Sequence, residues 1–341
     1  MSTTTLTERS DRSTLFDGLG RYIPIAATIG LLIAMYAGGL ANYSNFDNPQ
    51  LIADLFIGNA ALLIIAVGMT FVILSGGIDL SVGSMMAFST MALAWMTVEL
   101  GLPAEIAVPV VLVFGTGSGM FTGAVIHYFK VQPFIATLAG LFLYRGLTLQ
   151  ISDRDVSIRE IEFFSWGMDR VEFGNVREGG FSLPHISFIA FAVVIIAFIV
   201  LHYTRFGRSV YAVGGSEQSA LLMGLPTART KVGVYAVSGF CAALGGVVAA
   251  YATRSANPLA GVGLELDAIA AVVIGGTLLT GGSGFVLGTV AGVMVMGMIS
   301  TIIAFQGNLN SWWARIAVGV LLLAFILLQR FLGRSGEKRK T

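Results

Sequence analysis

Asp79 is the one carboxylate between Phe71 and Ser89, in the stretch FVILSGGIDLSVGSMMAFS, and it follows the glycine pair Gly76-Gly77. An acid in so apolar a run has two uses. It can accept backbone N–H groups left free where a helix begins, with Ser81 and Ser84 nearby and the positive end of the helix dipole favouring it. It can also line a polar path through a membrane, because an ionisable group at the bilayer centre costs at least ~2.5 kcal/mol and implies a use. The two uses are compatible. Glu265 and Asp267 open a later apolar run, where they would meet a polar solute or serve as acids in a helix's first turn. Arg145 lies inside another run near its end, placed either to snorkel to the surface or to pair with an acid. Trp312 and Trp313, followed by Arg315, begin the last run and suit an interfacial aromatic belt. His127, His185 and His202 are scattered near run ends without metal-ligand spacing. No catalytic cluster is visible. No Gly-x-x-x-x-Gly-Lys-[Ser/Thr] motif occurs, so the chain shows no phosphate-cradling loop of that type. No cofactor or metal is expected in the chain, and its energy must come from a partner or a gradient.

The elements that position these residues are membrane helices. Of 341 residues only 11% are charged, 55% are apolar and 43 are glycine, whereas a soluble protein carries about 25% charge. The apolar residues form runs of roughly 20, the length that crosses a hydrocarbon core about 30 Å thick. Abundant glycine lets such helices approach closely. The expected fold class is an all-α polytopic membrane protein. Ten spans are predicted, at 22–42, 51–75, 81–99, 104–127, 133–151, 184–203, 232–252, 266–280, 285–306 and 312–331. They divide the chain into an N-terminal tail (1–21), a transmembrane domain (22–331) with an outer loop at 152–183 and an inner loop at 203–231, and a C-terminal tail (332–341). The stretch after the N-terminal tail is too long for a signal-peptide core. Net charge is +1, so nothing draws the chain toward nucleic acid. Cys241 lies in an apolar run, cannot form an internal disulfide, and reads as a small buried hydrophobe. The methionines read as gap-filling core.

Charge sets the orientation. The loop at 203–231 holds Arg205, Arg208, Arg229 and Lys231 against Glu217, and the final tail holds Arg334, Lys338, Arg339 and Lys340 against Glu337. The positive-inside rule puts both in the cytoplasm, with both termini. The segment from Ser152 to Gly180 carries four arginines against seven acids, and those arginines pull the other way. It is long for a loop, either a contact for a periplasmic partner or a solvated flap.

Paired glycines cost helix stability, about 1 kcal/mol each relative to alanine, so Gly76-Gly77 predicts a break just before Asp79. A broken helix exposes polar backbone only where it faces a cavity or buried protein. A weak internal repeat accompanies it: Leu74 to Ser84 lines up with Leu279 to Thr289, placing Gly281-Gly282 opposite Gly76-Gly77. Within the loop at 203–231, Ser216 can cap a short helix, Glu217 sits in its first turn, and Gly224 ends it before Pro226. Its apolar residues Ala220, Leu221, Leu222 and Met223 need a surface to cover them, because a helix of about eight residues is unstable alone. That surface is either a partner or the chain's own spans.

Long, ordered blocks of this sequence resemble bacterial ABC-type sugar importer permeases, the branch that includes the ribose permease. They are IIAVGMTFVILSGGIDLSVGS, QPFIATLAGLFLYRG (from Gln132), TRFGRSVYAVGGSEQSALLMGL (from Thr204), AGVGLELDAIAAVVIGGTLLTGG (from Ala260) and SWWARIAVGVLLLAFILLQR (from Ser311). Together they cover nearly all of the chain from about residue 51. LAGVGLELDAIA and SWWARIAVG look most like a permease subunit of the bacterial galactofuranose importer. The resemblance implies a multi-pass inner-membrane permease that is not itself an enzyme. Its implied partners are a second permease subunit as homo- or heterodimer, a cytoplasmic ABC ATPase that binds the ATP, and a periplasmic sugar-binding protein. Gly215, Glu217, Ala220 and Gly224 would then form the ATPase-coupling element. Asp79, Ser81, Arg145, Glu265, Asp267, Trp312 and Trp313 are candidates for the substrate path, the indoles because aromatic faces suit sugar C–H groups. Gly76, Gly77, Gly281 and Gly282 would mark helix breaks. The competing expectation is a stand-alone, ion-coupled secondary transporter, in which Asp79 binds a proton or Na⁺.

Overall fold

The computed structural model describes residues 23–174, 179–310 and 312–337. The N-terminal tail, Arg177 and Glu178 of the segment at 152–183, and residues 338–341 of the C-terminal tail lie outside the described residues. Helices dominate. They are α1 (Ile23–Asn42), α2 (Pro49–Gly58), α3 (Ala60–Leu74), α4 (Val82–Val98), α5 (Ala104–Tyr128), α6 (Pro133–Ile151), α7 (His185–Tyr203), α8 (Arg205–Gly215), α9 (Glu217–Leu222), α10 (Thr227–Thr253), α11 (Leu264–Ile274), α12 (Val286–Gln306) and α13 (Trp312–Glu337).

Seven of these helices are long and apolar enough to cross a membrane, or eight if α2 and α3 count as one span bent by 59°. Among the described residues, seven or eight of the ten expected spans are thus helices of full length. The run at 51–75 is two helices, because Asn59 leaves helical geometry (φ −112°, ψ 12°) while its side-chain amide donates to the Leu55 carbonyl at 2.8 Å. The run at 81–99 is a helix of 17 residues, and the run at 266–280 holds one of only 11. The first agrees with the expected bounds within a residue at each end, and the second stops at Ile274, short of its expected bound, because the loop that follows is apolar enough to read as helix. The segment at 203–231 is mostly helical, and α10 begins early enough to take in Arg229 and Lys231. At the other end α13 runs on to Glu337, past the expected boundary.

α10 is the central post and packs on α3, α4 and α5. Its contact with α5 is made by small residues one turn apart. A Cβ on Gly115 would lie 2.7 Å from the Gly239 carbonyl oxygen, one on Gly119 would run into that of Tyr235, and one on Gly123 would lie 2.8 Å from the Val232 Cα. Such stripes let backbones touch where lipid offers no hydrophobic drive for association. Cys241 is free and buried, its Cβ facing Gly68. The outward faces are apolar, as lipid requires: Phe121 is 71% exposed.

The segment at 152–183 is neither a free flap nor wholly irregular. β1 (Val156–Ser157) pairs antiparallel with β4 (Ser255–Ala256), and β2 (Arg170–Phe173) with β3 (Phe181–Pro184). Phe164 is fully buried and packs with Phe163 and Trp166 around Tyr251 of α10. Gln50 of α2 accepts the Ser182 N–H at 2.8 Å and donates to its carbonyl at 3.1 Å. Apolar burial and paired backbone groups thus tie the segment to its own bundle.

Candidate functional site

Two helices stop in the same way inside the bundle. At the end of α3 the Gly77 N–H reaches the Val72 carbonyl at 3.0 Å and the Gly76 N–H reaches Ile73 at 2.9 Å, with Gly76 at φ +81°. At the end of α11 the Thr277 N–H reaches Val272 at 3.2 Å and the Gly276 N–H reaches Val273 at 2.9 Å, with Gly276 at φ +93°. This paired bonding with a left-handed residue satisfies carbonyls the helix leaves open, and glycine takes that conformation without a Cβ penalty. The glycine that stops α11 is therefore Gly276, not the expected Gly281-Gly282 pair. Gly281 and Gly282 lie further along the loop before α12, both at positive φ.

The two loops meet. The Gly282 N–H donates to the Leu74 carbonyl at 2.9 Å, and a Cβ on Gly281 would lie 2.7 Å from the Gly76 nitrogen. The end of α8 joins them: a Cβ on Gly214 would strike the Leu74 carbonyl oxygen, and one on Gly282 would lie 2.8 Å from the Gly215 Cα. Gly76, Gly281, Gly282 and Gly215 thus form one knot of backbone.

Asp79 follows the first break and is only 3% exposed. It does not cap α4, whose N-cap is Ser81 without a side-chain capping bond. Instead one carboxylate oxygen accepts the Ser81 N–H at 3.0 Å and the Ser81 hydroxyl at 2.6 Å. This is an Asx turn, which competes with helix and shapes the entry to α4. The other oxygen accepts the Ser238 hydroxyl of α10 at 2.7 Å. Tyr235, one turn below Ser238, reaches the Ile78 carbonyl with its hydroxyl at 3.4 Å, and a Cβ on Gly77 would lie 2.5 Å from that hydroxyl. Ser238 stands near the middle of α10. The carboxylate is thus enclosed at mid-helix depth and its oxygens are occupied by the protein.

The other path candidates gather around the start of α11. Arg145 is half-buried and bonds no acid. Its guanidinium donates to the carbonyls of Pro258 at 2.7 Å and Ala260 at 3.0 Å, bracing the turn before α11. Glu265 and Asp267 lie in the first turn of α11. Glu265 is within electrostatic reach of Arg145, and its carboxylate crowds Gly83 of α4. Asp267 is within reach of Arg315, whose guanidinium lies 5.9 Å from the Trp312 ring centre. Trp312 and Trp313 are exposed. Asp79 and Ser81 lie close to this cluster, because the Glu265 carboxylate meets α4 at Gly83, two residues after Ser81.

α9 lies by the start of α10, and α8 precedes it. The Ser216 hydroxyl accepts the Ser219 N–H at 3.2 Å to cap α9. At its other end the Leu225 and Gly224 N–H groups reach Ala220 and Leu221 at 3.0 Å each, with Gly224 at φ +74°. Ala220 is fully buried, while Leu221, Leu222 and Met223 point outward and Leu222 is 83% exposed. Glu217 accepts the Lys231 ammonium of α10 at 2.7 Å. That hydrogen bond holds the Glu217 carboxyl below its ordinary pKa, outweighing the opposing effect of partial burial. A groove of about 550 Å³ runs beside it, between α9 and the start of α6, past Lys130, Gln132 and Gln218.

Tyr235 and Ser238 were not singled out in the sequence, and Lys231 counts there only as a loop charge. They recur at the four- and three-residue steps that put side chains on one helical face, and polar groups at that spacing in an apolar helix are the signal that marks them. That face joins α9 at one end to the first break at the other.

A family model described as "Branched-chain amino acid transport system / permease component" matches residues 51–326, and the chain belongs to that permease family. Its relatives are ABC sugar permeases. It is 44% identical over 326 residues to the inner membrane ABC transporter permease protein YjfF of Escherichia coli K12, spanning 94% of this chain and 96% of that one. It is 39% identical to the fructose import permease protein FruG of Bifidobacterium longum, over 93% and 94% of the two chains. It is 38% identical to the ribose import permease protein RbsC of Escherichia coli K12, over 87% and 90%. Family and apolar helices together make it a multi-pass inner-membrane permease.

Proposed function

We propose that this chain is the translocation subunit of an ATP-driven, binding-protein-dependent sugar importer, that its sugar is galactofuranose or a related monosaccharide, and that both termini are cytoplasmic. A periplasmic protein delivers the sugar, a second permease subunit completes the path, and an ABC ATPase docks on α9. The observation that carries this reading is the state of α9. A six-residue helix, capped at both ends and pinned by Glu217 to Lys231, presents Leu221, Leu222 and Met223 outward. Three large apolar side chains on so short a helix call for a partner surface.

The same geometry supports a route for the ATPase's motion. α8 and α9 are consecutive, and the end of α8 abuts both breaks through Gly214 and Gly215. The Lys231–Tyr235–Ser238 face of α10 supplies a second link, ending on the Asp79 carboxylate. A push on α9 therefore meets the two loops where helices give way to irregular backbone, the places in a bundle that repack at least cost. Nucleotide drives the cycle only through differing affinity for the two access states.

Leu222→Asp tests the docking. It alters a side chain open to solvent, so the membrane level and melting temperature of the variant should match the parent while co-purification with the ATPase and sugar uptake are lost. Unchanged uptake would remove α9 as the docking element. Resemblance of LAGVGLELDAIA and SWWARIAVG supports the choice of sugar, while relatives named for fructose, ribose and allose take others. Binding of a panel of furanose and pyranose sugars to the cognate periplasmic protein tests it. Preference for ribose or xylose would discard galactofuranose.

A further inference from the structure

Beside α9 lies a second cavity, of about 630 Å³, whose rim is basic and whose floor is apolar. Arg205 and Arg208 enter it from the first turn of α8, and Arg229 from the first turn of α10. Phe206 and Leu225 form part of the floor. The ion pairs among the described residues are Arg154 with Asp153 and Lys231 with Glu217, so none of these three arginines is paired with a carboxylate. All three are exposed. Three cations converging without an acid repel one another and leave a demand for negative charge. The start of α10 adds to it, because the N-cap residue Pro226 makes no side-chain capping bond and the dipole's positive end faces the cavity.

The location decides what the anion is. α7 crosses the membrane and ends at Tyr203, two residues before Arg205, and α10 begins its own crossing at Thr227, two residues before Arg229. The arginines therefore sit at the boundary between hydrocarbon and headgroups, as anchoring cations do. An aromatic and aliphatic floor under a guanidinium rim matches a phosphodiester attached to glycerol and acyl chain, and the volume exceeds what a bare phosphate would fill. The geometry points to a binding site for the phosphate headgroup of an anionic phospholipid, held by Arg205, Arg208 and Arg229 between α8 and α10. The site does not depend on which face of the membrane is cytoplasmic, nor on what docks on α9.

The test uses the full-length chain, purified in detergent and equilibrated with vesicles of phosphatidylglycerol and phosphatidylcholine in equal amounts, then examined by native mass spectrometry. Retained lipid should be enriched in phosphatidylglycerol. R205Q, R208Q and R229Q should each weaken its retention about fivefold, and the triple variant on the order of 100-fold, at about one charge's worth of attraction per arginine. Exposed side chains predict unchanged melting temperatures for the single variants, which keeps the test open if the triple variant folds poorly. A control, R154Q in the segment at 152–183, should leave retention unchanged. Equal retention by parent and single variants overturns the site. So does saturation by inorganic phosphate with no preference between the lipids. Loss of ATPase co-purification in the arginine variants with lipid retention intact overturns it too, and assigns the cavity to the protein partner.

Discussion

The two loops that interrupt the bundle, 75–81 after α3 and 275–285 after α11, share a stop and differ in what holds them. Each begins with a glycine in left-handed geometry and the same pair of backbone bonds. The first is fastened by side chains: Asp79 takes hydrogen bonds from Ser81 and from Ser238 of α10. The second has no carboxylate. It is fastened by backbone, through the Gly282 N–H to Leu74 and the Gly284 carbonyl to the Tyr211 hydroxyl at 2.9 Å. Its buried Thr277 hydroxyl makes no hydrogen bond. One loop is thus bound to the central post, and the other is laid against the first and against α8. An acid is needed where a break must be anchored to a helix face, and glycine where two breaks must touch.

Substitutions can break this contrast at several strengths. The largest effect is expected at Gly214, whose Cβ would collide with the Leu74 backbone, a neighbour that cannot rotate away. Gly214→Val should cost more than about 3 kcal/mol and abolish the monodisperse peak in size-exclusion chromatography. Gly215→Ala, with nothing near its Cβ, should elute like the parent. Next is Asp79→Ala, which leaves the hydroxyls of Ser81 and Ser238 without their acceptor inside the bundle. About 2 to 3 kcal/mol is expected, read as a lowered thermal midpoint in detergent. Thr277→Val in the other loop should be near neutral.

Smaller effects sharpen the comparison. Gly76→Ala should show only the left-handed penalty of about 1 to 2 kcal/mol, since its Cβ would meet nothing nearer than the Thr280 oxygen at 3.7 Å. Gly276→Ala should cost more, because its Cβ would also press on Pro24 of α1 at 2.9 Å. Equal losses at the two sites would show that α1 does not brace the second break. Smallest is Glu217→Gln, which removes a partly exposed ion pair worth about 0 to 1 kcal/mol. The Glu217 carboxyl is held below its ordinary value in the folded chain. Its contribution is therefore fully present above the ordinary pKa of an unfolded glutamate and is lost as pH falls through the lower folded value. Melting curves of parent and variant should differ slightly at neutral pH and converge once the pH falls below the lowered Glu217 value. A difference that persists in acid would mean the pair is not what stabilises α9.

Much of this was legible from residues alone. Composition and run length define a helical membrane protein, and Gly76-Gly77 before Asp79 marks the first break. Ser216 and Gly224 bracket α9 because capping and left-handed stops are local chemistry. Span number was not legible. The loop at 275–285 is rich in leucine, glycine and threonine, and hydropathy does not separate it from a helix. Gly276 was missed for a related reason: Gly275-Gly276 sits five residues before the pair whose spacing matched the first break. Ser81 was visible beside Asp79, but Ser238 was hidden because it comes from a distant helix, where a lone serine in an apolar run carries little signal by itself. The path candidates were recognisable as unusual residues, but only packing shows that the Asp79 carboxylate is enclosed by Ser81 and Ser238 and that Glu265 meets α4 close by, at Gly83.

The central claim is that this permease has no drive of its own and takes it from an ATPase seated on α9. Reconstitution of the purified chain and its partner permease subunit in liposomes tests this most directly, with and without the ATPase and the binding protein, under imposed proton and sodium gradients. The account predicts accumulation of sugar against its gradient only when ATPase, ATP and binding protein are all present. Accumulation driven by either ion gradient, with no ATPase in the liposomes, would contradict it.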